Sequence, residues 1–356
     1  VKSGIDLSHL DSSVRPQDDL FRHVNGAWLR DAEIPPDRAR YGEFVRLRDE
    51  AEQHLRAIVE RLVAQSYEPG TDEQRIADLY RDFMDTESVE SAGAEPLRMI
   101  LREVDDVTDE ADLLHLVGSL ERRGVPGLFG GYVDTDRGDS TRYLLYLTQG
   151  GLGLPDESYY HDERFGQIRA DYLTHVGRML ELADVGGAED AHRVMEVETR
   201  LATAHWDRVS TRDATATYNL LTRHELDILS PGVSWSAWLQ AVGGSGHELD
   251  EVVVRQPSFF AALGSEVSEV DLDAWRCWLR WKVVHASAPY LPDAFVEENF
   301  DFYGRTLTGA PQLRDRWKRG VSLVESALGE ALGRIYVAEH FPPHAKARME
   351  QLVGNL

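Results

Sequence analysis

Arg40, Phe44 and Arg48 stand four residues apart in the stretch Ala39 to Glu52, ARYGEFVRLRDEAE. At about 100° per residue this interval sets the three on one helix face. A planar guanidinium grips a carboxylate through two parallel hydrogen bonds, so a pair of them beside an aromatic could hold a free peptide C-terminus or a backbone carbonyl. The alternative is a solvated helix laced by Arg46/Glu50 and Arg48/Glu52 pairs, which are common and weak. Those pairs run Arg before Glu, the less favourable order. Arg38 and Arg40 also lie where a helix beginning after Pro35-Pro36 has the positive end of its dipole, so cations there call for another reason.

Other reactive constellations fail on spacing. A zinc peptidase helix needs His-Glu-x-x-His, two imidazoles one turn apart around a general-base glutamate. His224-Glu225 and His247-Glu248 begin correctly, but Ile228 and Glu251 stand where the second histidine is required. His340 and His344 are four apart with Pro342 and Pro343 between them, which excludes a regular helix. Gly243 to His247 lacks the closing glycine of a nucleophile elbow and reads as a flexible turn. Gly151, Gly153 and Asp156 miss the last position of the dinucleotide fingerprint. Cys277 lies among tryptophans on an apolar helix and reads as a buried, inert thiol. The basic run Arg314, Arg316, Lys318, Arg319 reads as a solvated helical face.

The 356 residues carry 38 basic and 62 acidic side chains, a formal net charge of −24. That balance argues against a nucleic-acid footprint, and no polybasic tract points to a membrane surface. Hydrophobic residues at 42% suffice for a sizeable core. The single cysteine excludes an internal disulfide and fits a reducing compartment. With neither a basic-then-apolar leader nor an apolar run near ~18 residues, the expectation is no membrane span and a cytoplasmic protein, or one exported without a recognisable signal peptide.

The elements that must position Arg40, Phe44 and Arg48 are helical. Residues 1–37 read as an irregular arm with one short amphipathic turn in DDLFRHVNGAWL, anchored by Trp28. The stripe Phe44, Leu47, Ala51, Leu55, Ile58, Leu62 predicts a helix from Glu43 to about Gln65, and Thr71-x-x-Gln74 caps the next. Further helices are expected over 95–105, 109–122 opened by Thr108, 163–183, 188–205, 271–287 and 312–339, with a last one from about His344 still running at Leu356. Glycine-bounded runs between Gly124 and Pro155 predict a β-hairpin near 130–150. The segment 207–257 reads as turns and short helices. The fold class is therefore mainly α with a small β-hairpin element, divided into an arm (1–37), a helical body (38–257) and a final set of helices (258–356).

Five stretches, in order, resemble the neprilysin family of zinc metalloendopeptidases: PQDDLFRHVNGAWL, IPPDRARYGEFVRLRDE, STRYLLYLTQGGLGLPDESYY, TRDATATYNLLT and the long run from FYGRTLTGAP to VAEHFPP. Gln17, Asn25 and Gly320 stand where the family usually has cysteines, which resembles its cysteine-poor bacterial branch. The resemblance implies a helical cap domain facing a thermolysin-like zinc domain, the two enclosing a chamber that admits peptides, with this chain supplying the cap and the first helices of the catalytic side. It implies that Arg40 and Arg48, with Phe44 between them, contact the C-terminal side of the substrate in the S2′ region. It also implies that zinc serves the complete enzyme through ligands outside these residues. The expected partners are oligopeptide substrates and a C-terminal catalytic half. This chain alone, lacking His-Glu-x-x-His, is then inactive as a peptidase. The competing expectation is a non-catalytic helical peptide-binding or regulatory module.

Overall fold

A computed structural model describes residues 6–355. They form two compact units, one made of the described residues up to Met84 together with those from Thr308 onward, the other of Asp85–Leu307. The chain begins with α1 (Leu20–Asp31), α2 (Glu43–Val63) and α3 (Asp72–Met84). The second unit follows with α4 (Thr86–Ala92), α5 (Arg98–Asp105), α6 (Glu110–Arg122), β1 (Phe129–Thr135), β2 (Tyr143–Gln149), α7 (Ser158–His161), α8 (Gly166–Leu182) and α9 (Ala188–Ala204). It continues through β3 (Leu220–Thr222), α10 (Arg223–Leu229), α11 (Trp235–Val242), β4 (Glu251–Val254), α12 (Pro257–Glu269), α13 (Leu272–Ser287), α14 (Asp293–Asn299) and a π-helical stretch over Phe300–Thr306. The first unit resumes with α15 (Arg316–His340) and α16 (Pro343–Gly354).

In the first unit Ile58, Val59 and Leu62 of α2, Ile76, Ala77 and Tyr80 of α3, and Val321, Val324 and Leu332 of α15 make one core. Gly320 is buried there, and a Cβ on it would meet the Tyr80 and Phe83 rings at 2.9 and 3.0 Å. The Thr71-x-x-Gln74 signal acts at the start of α3: the Gln74 amide N–H donates to Thr71 Oγ1, and Gln74 Oε1 reaches back one residue further than expected, to the Gly70 N–H at 2.8 Å. DDLFRHVNGAWL forms more than the short turn expected. Asp19 caps it by accepting from the Arg22 N–H at 2.9 Å, and twelve residues become helical.

In the second unit the predicted hairpin is β1 and β2, paired antiparallel from Phe129↔Gln149 to Thr135↔Tyr143. It belongs to a larger sheet of order β1-β2-β4-β3, with β4 parallel to β2 and antiparallel to β3. Both added strands come from 207–257, where only turns and short helices were expected. Three and four residues are too few to show an alternating pattern. Asp109 caps α6 by accepting from the Asp112 N–H at 2.8 Å, one residue later than the expected Thr108, whose own hydroxyl binds Asp112.

The core behind the sheet holds Trp235, Trp275, Trp278 and Trp281 with Tyr172, Phe259 and Phe260, all fully buried. It joins α5, α6, α8, α9, α12 and α13 into one body. The compact units therefore cut the chain differently from boundaries drawn at 38 and 257, because α12 and α13 pack on α9 while α15 packs on α2 and α3.

Glu121, at the end of α6, shows what this packing does to a carboxyl. Trp238 Nε1–H donates to its Oε2 at 2.7 Å and its Oε1 has no partner among the described residues. Burial pushes its pKa from 4.5 up to about 7, with the Trp238 hydrogen bond opposing. A raised folded pKa means stability that is complete below the unfolded value and is lost as pH climbs through about 7. Glu121→Gln is thus expected to stabilise the chain at pH 8 by roughly 1–3 kcal/mol and to make little difference near pH 4. Urea melts at the two pH values test this, and an equal effect at both would assign the change to packing instead.

Candidate peptide-contact surface

Pro35-Pro36-Asp37-Arg38 begins the run that leads into α2, and side chains from both ends of the first unit pin it. The Gln312 N–H donates to Pro36 O at 3.0 Å, and Lys318 Nζ donates to Asp37 Oδ2 at 2.5 Å. Burial would raise the Asp37 carboxyl, but the Lys318 ammonium outweighs it and holds the group below its ordinary value. The Arg38 guanidinium, 9% exposed, donates to Asp49 and lies 3.9 Å from Glu52 Oε2. Arg314 donates to the other oxygen of Glu52. Arg316 donates twice to Phe83 O, at 3.0 and 2.7 Å, and Arg319 donates to Arg314 O at 3.2 Å.

The basic run 314–319 is therefore half-buried and spent on internal acceptors, in contrast to the solvated face its composition suggested. Apart from Arg314 O, the acceptor of Arg319, those acceptors lie hundreds of residues away in sequence, and spacing carries no trace of them.

Helix α2 starts at Glu43 with Gly42 as its N-cap, so Arg40 precedes the helix and does not share its face. Gly42 has no side chain to cap with and ends the extended approach two residues beyond Arg40. Phe44 and Arg48, at i and i+4 inside α2, do lie on one face. Phe44 is 89% exposed and Leu47 is also exposed, so the apolar stripe enters the core only from Leu55 onward.

The charge pairing separates the arginines sharply. Arg46 is held by Glu43 and Glu50, Arg56 by Glu60, Arg61 by Glu339 and Arg38 by Asp49. Arg40 and Arg48 are exposed, and among the described residues neither guanidinium has a hydrogen bond or an ion pair. The Arg48/Glu52 pair expected from spacing does not form, because Glu52 is turned to Arg314 and Arg38. A guanidinium with free donors on the helix face of the exposed Phe44, and a second just ahead of the helix, have the chemistry to hold a carboxylate or carbonyl next to an apolar side chain.

Histidine and cysteine chemistry goes elsewhere. His340 ends α15 and stacks on His54 with centroids 4.1 Å apart, while α16 begins at Pro343. Glu225 is the capping partner of Thr222, and His247 Nδ1 pairs with Asp250 Oδ2 at 3.0 Å. Cys277 is buried, its thiol pushed up by burial and then by its hydrogen bond to Asp190. Among the described residues no three His, Cys, Asp or Glu side chains gather as a metal site would require, so these residues do not fit a zinc ion.

The mainly helical body with one small mixed sheet is the fold of solved neprilysin-like metallopeptidases. The pattern of Peptidase family M13 matches residues 16–356, and the chain belongs to that family. The chain is 26% identical over 371 residues to endothelin-converting enzyme 1 of Bos taurus, covering 98% of this chain and 47% of that protein. It is 28% identical over 388 residues to membrane metallo-endopeptidase-like 1 of Mus musculus, covering 98% and 49%. Its fold superposes on the zinc metalloprotease Zmp1 of Mycobacterium tuberculosis, crystallised with an inhibitor, at a TM-score of 0.93 and 49% identity, over 99% of this chain and 54% of that one. The chain thus spans about half the length of the relatives it matches.

Proposed function

We propose that this chain forms the prime-side substrate-binding region of an M13 zinc metalloendopeptidase that cleaves oligopeptides within an enclosed chamber. Zinc and the attacking water belong to a C-terminal half outside these residues. The carrying observation is the pairing pattern on the approach to α2. Arg38, Arg46, Arg56 and Arg61 are neutralised within the chain, while Arg40 and Arg48, the positions that the family resemblance assigns to substrate, keep their guanidinium donors free. Phe44 supplies the apolar contact beside them.

Two further features support this reading. Large apolar side chains of the first unit are exposed, among them Phe21, Ile34, Phe44, Met349, Leu352 and Val353, and α16 buries none of its own residues. Exposed apolar side chains of this kind are what a catalytic half would cover. No helix of the described residues is long and apolar enough to cross a membrane.

The test is reconstitution. The 356-residue chain with added zinc is expected to leave a quenched fluorescent oligopeptide uncut, and co-expression with the polypeptide encoded downstream is expected to restore chelator-sensitive cleavage. Hydrolysis by the chain alone that survives exhaustive chelation would overturn the assignment. Tight peptide binding with no gain on adding the second half would favour a free-standing binding module.

A further inference from the structure

The second unit contains a cavity of about 640 Å³ between the segment entering β1, the glycine-rich turn leaving β2 and the loop 205–211. Its hydrogen-bonding groups are unbalanced. Lys282 reaches it from α13 with its side chain 3% exposed, and the one hydrogen bond of its ammonium is a long one, 3.4 Å to Leu152 O. Two N–H donors remain. The amide N–H groups of Gly151 and Leu152, both lining the cavity, have no partner among the described residues. Arg208 stands at the rim, largely exposed, 3.7 Å from Asp156.

Most side-chain acceptors of the lining are already used, the exception being Glu121 Oε1. Glu121 Oε2 is taken by Trp238, and its Oε1 sits beneath Gly127, where a Cβ would collide with it. Asp156 Oδ1 accepts from the Ser158 amide and hydroxyl, and Gln149 is paired in both directions with the Trp206 backbone. Spare donors and spent acceptors select a ligand that brings its own acceptors.

We propose that this cavity binds the C-terminal carboxylate of an extended peptide segment, held by Lys282 and the amides of Gly151 and Leu152. A peptide is favoured over a simple anion because Gly130 and Gly131 of β1 line the same cavity and β1 is an edge of the sheet. Its outer main chain is open to pairing, with no side chain at 130 or 131 to screen it. The electrostatics allow a negative ligand although Glu198 lies behind Lys282. Glu198 is fully buried, its Oε2 accepts from the Tyr160 and Tyr172 hydroxyls at 2.8 and 2.9 Å, and burial favours its neutral form. Burial favours the neutral form of Lys282 as well, opposed by Glu198, so an arriving carboxylate takes over the role of keeping the Lys282 ammonium charged.

This site is separate from Arg40 and Arg48, and its test is kept separate by using the full chain with Arg40→Ala and Arg48→Ala. Calorimetry and Trp206 fluorescence with acetyl-Gly-Val-Leu as free acid and as C-terminal amide are expected to show the acid binding about tenfold tighter or more. The preference should match that of the same chain with Arg40 and Arg48 restored once their own contribution is subtracted. It should vanish in Lys282→Met/Glu198→Gln, a double change that leaves no unpaired buried charge. Arg208→Glu, on an exposed side chain that cannot unfold the unit, should weaken acid binding severalfold and decides the matter if the double variant fails to fold. Equal binding of acid and amide, or a preference untouched by Arg208→Glu and by the Lys282 variant, would overturn the proposal.

Discussion

Replacing Arg48 by alanine in the complete enzyme is expected to lower kcat/KM for peptides with a free C-terminal carboxylate about a hundredfold, near the lower end of the ~2–5 kcal/mol that truncating one partner of a desolvated charge pair costs. The same change should alter cleavage of the matching C-terminal amides by no more than severalfold. The difference is the signature, because an arginine that merely stabilises α2 would affect acid and amide alike. Arg48 is suited to the role: it projects from a helix whose start is fixed, and no neighbouring carboxylate among the described residues competes for its donors. Arg40 reaches the surface from the pinned segment ahead of Gly42. If both guanidiniums hold one carboxylate, the Arg40→Ala and Arg48→Ala effects will be non-additive in a double-mutant cycle. Equal acid and amide rates in the unaltered enzyme would remove carboxylate capture altogether.

The helices were legible in the sequence because apolar spacing and capping residues are local. α8, α9 and α13 fall within a few residues of their expected ranges, and the β1–β2 hairpin lies where glycine-bounded apolar runs predict it. What was illegible depends on partners remote in the chain. Lys318 and Asp37, Arg314 and Glu52, and Arg316 and Phe83 meet only because α15 returns to α2 and α3. A basic run with only Asp315 as a local acid, in a strongly acidic chain, therefore looked solvated. The same return explains the compact units, since residues beyond Thr308 complete a core begun before Met84. At the candidate surface, spacing alone placed Arg40 on the helix, but the N-cap at Gly42 excludes it. Phe44 was counted with the core stripe because periodicity identifies a face and cannot say where along that face burial begins. The assignment of Arg40, Phe44 and Arg48 to substrate came from family resemblance, and the chemistry that makes it reasonable, two unpaired guanidiniums among paired ones, became visible only in three dimensions.

Glu52→Ala is expected to have the largest stability effect on the first unit, roughly 2–4 kcal/mol, because it strands the half-buried Arg314 and leaves the buried Arg38 with Asp49 as its hydrogen-bonded partner. The Glu52 side chain is 11% exposed, Arg38 9% and Arg314 28%. Arg314 donates directly to Oε1, whereas Oε2 makes no hydrogen bond and faces Arg38 at 3.9 Å, so the Arg38 contribution is Coulombic and long-ranged. Glu52→Gln should then lose most of the attraction to both arginines while keeping an oxygen acceptor for Arg314, and fall between alanine and the native residue. Native-state hydrogen exchange should show faster exchange across 38–52, with the α9 and α13 amides unchanged because no Glu52 partner lies in their unit. Should exchange accelerate equally in both units, Glu52 supports the whole chain and not the start of α2 alone. A selective effect has a functional corollary. In the complete enzyme Glu52→Ala should weaken the preference for free-acid peptides without touching Arg40, Phe44 or Arg48, because the buried carboxylate fixes the segment from which those side chains project.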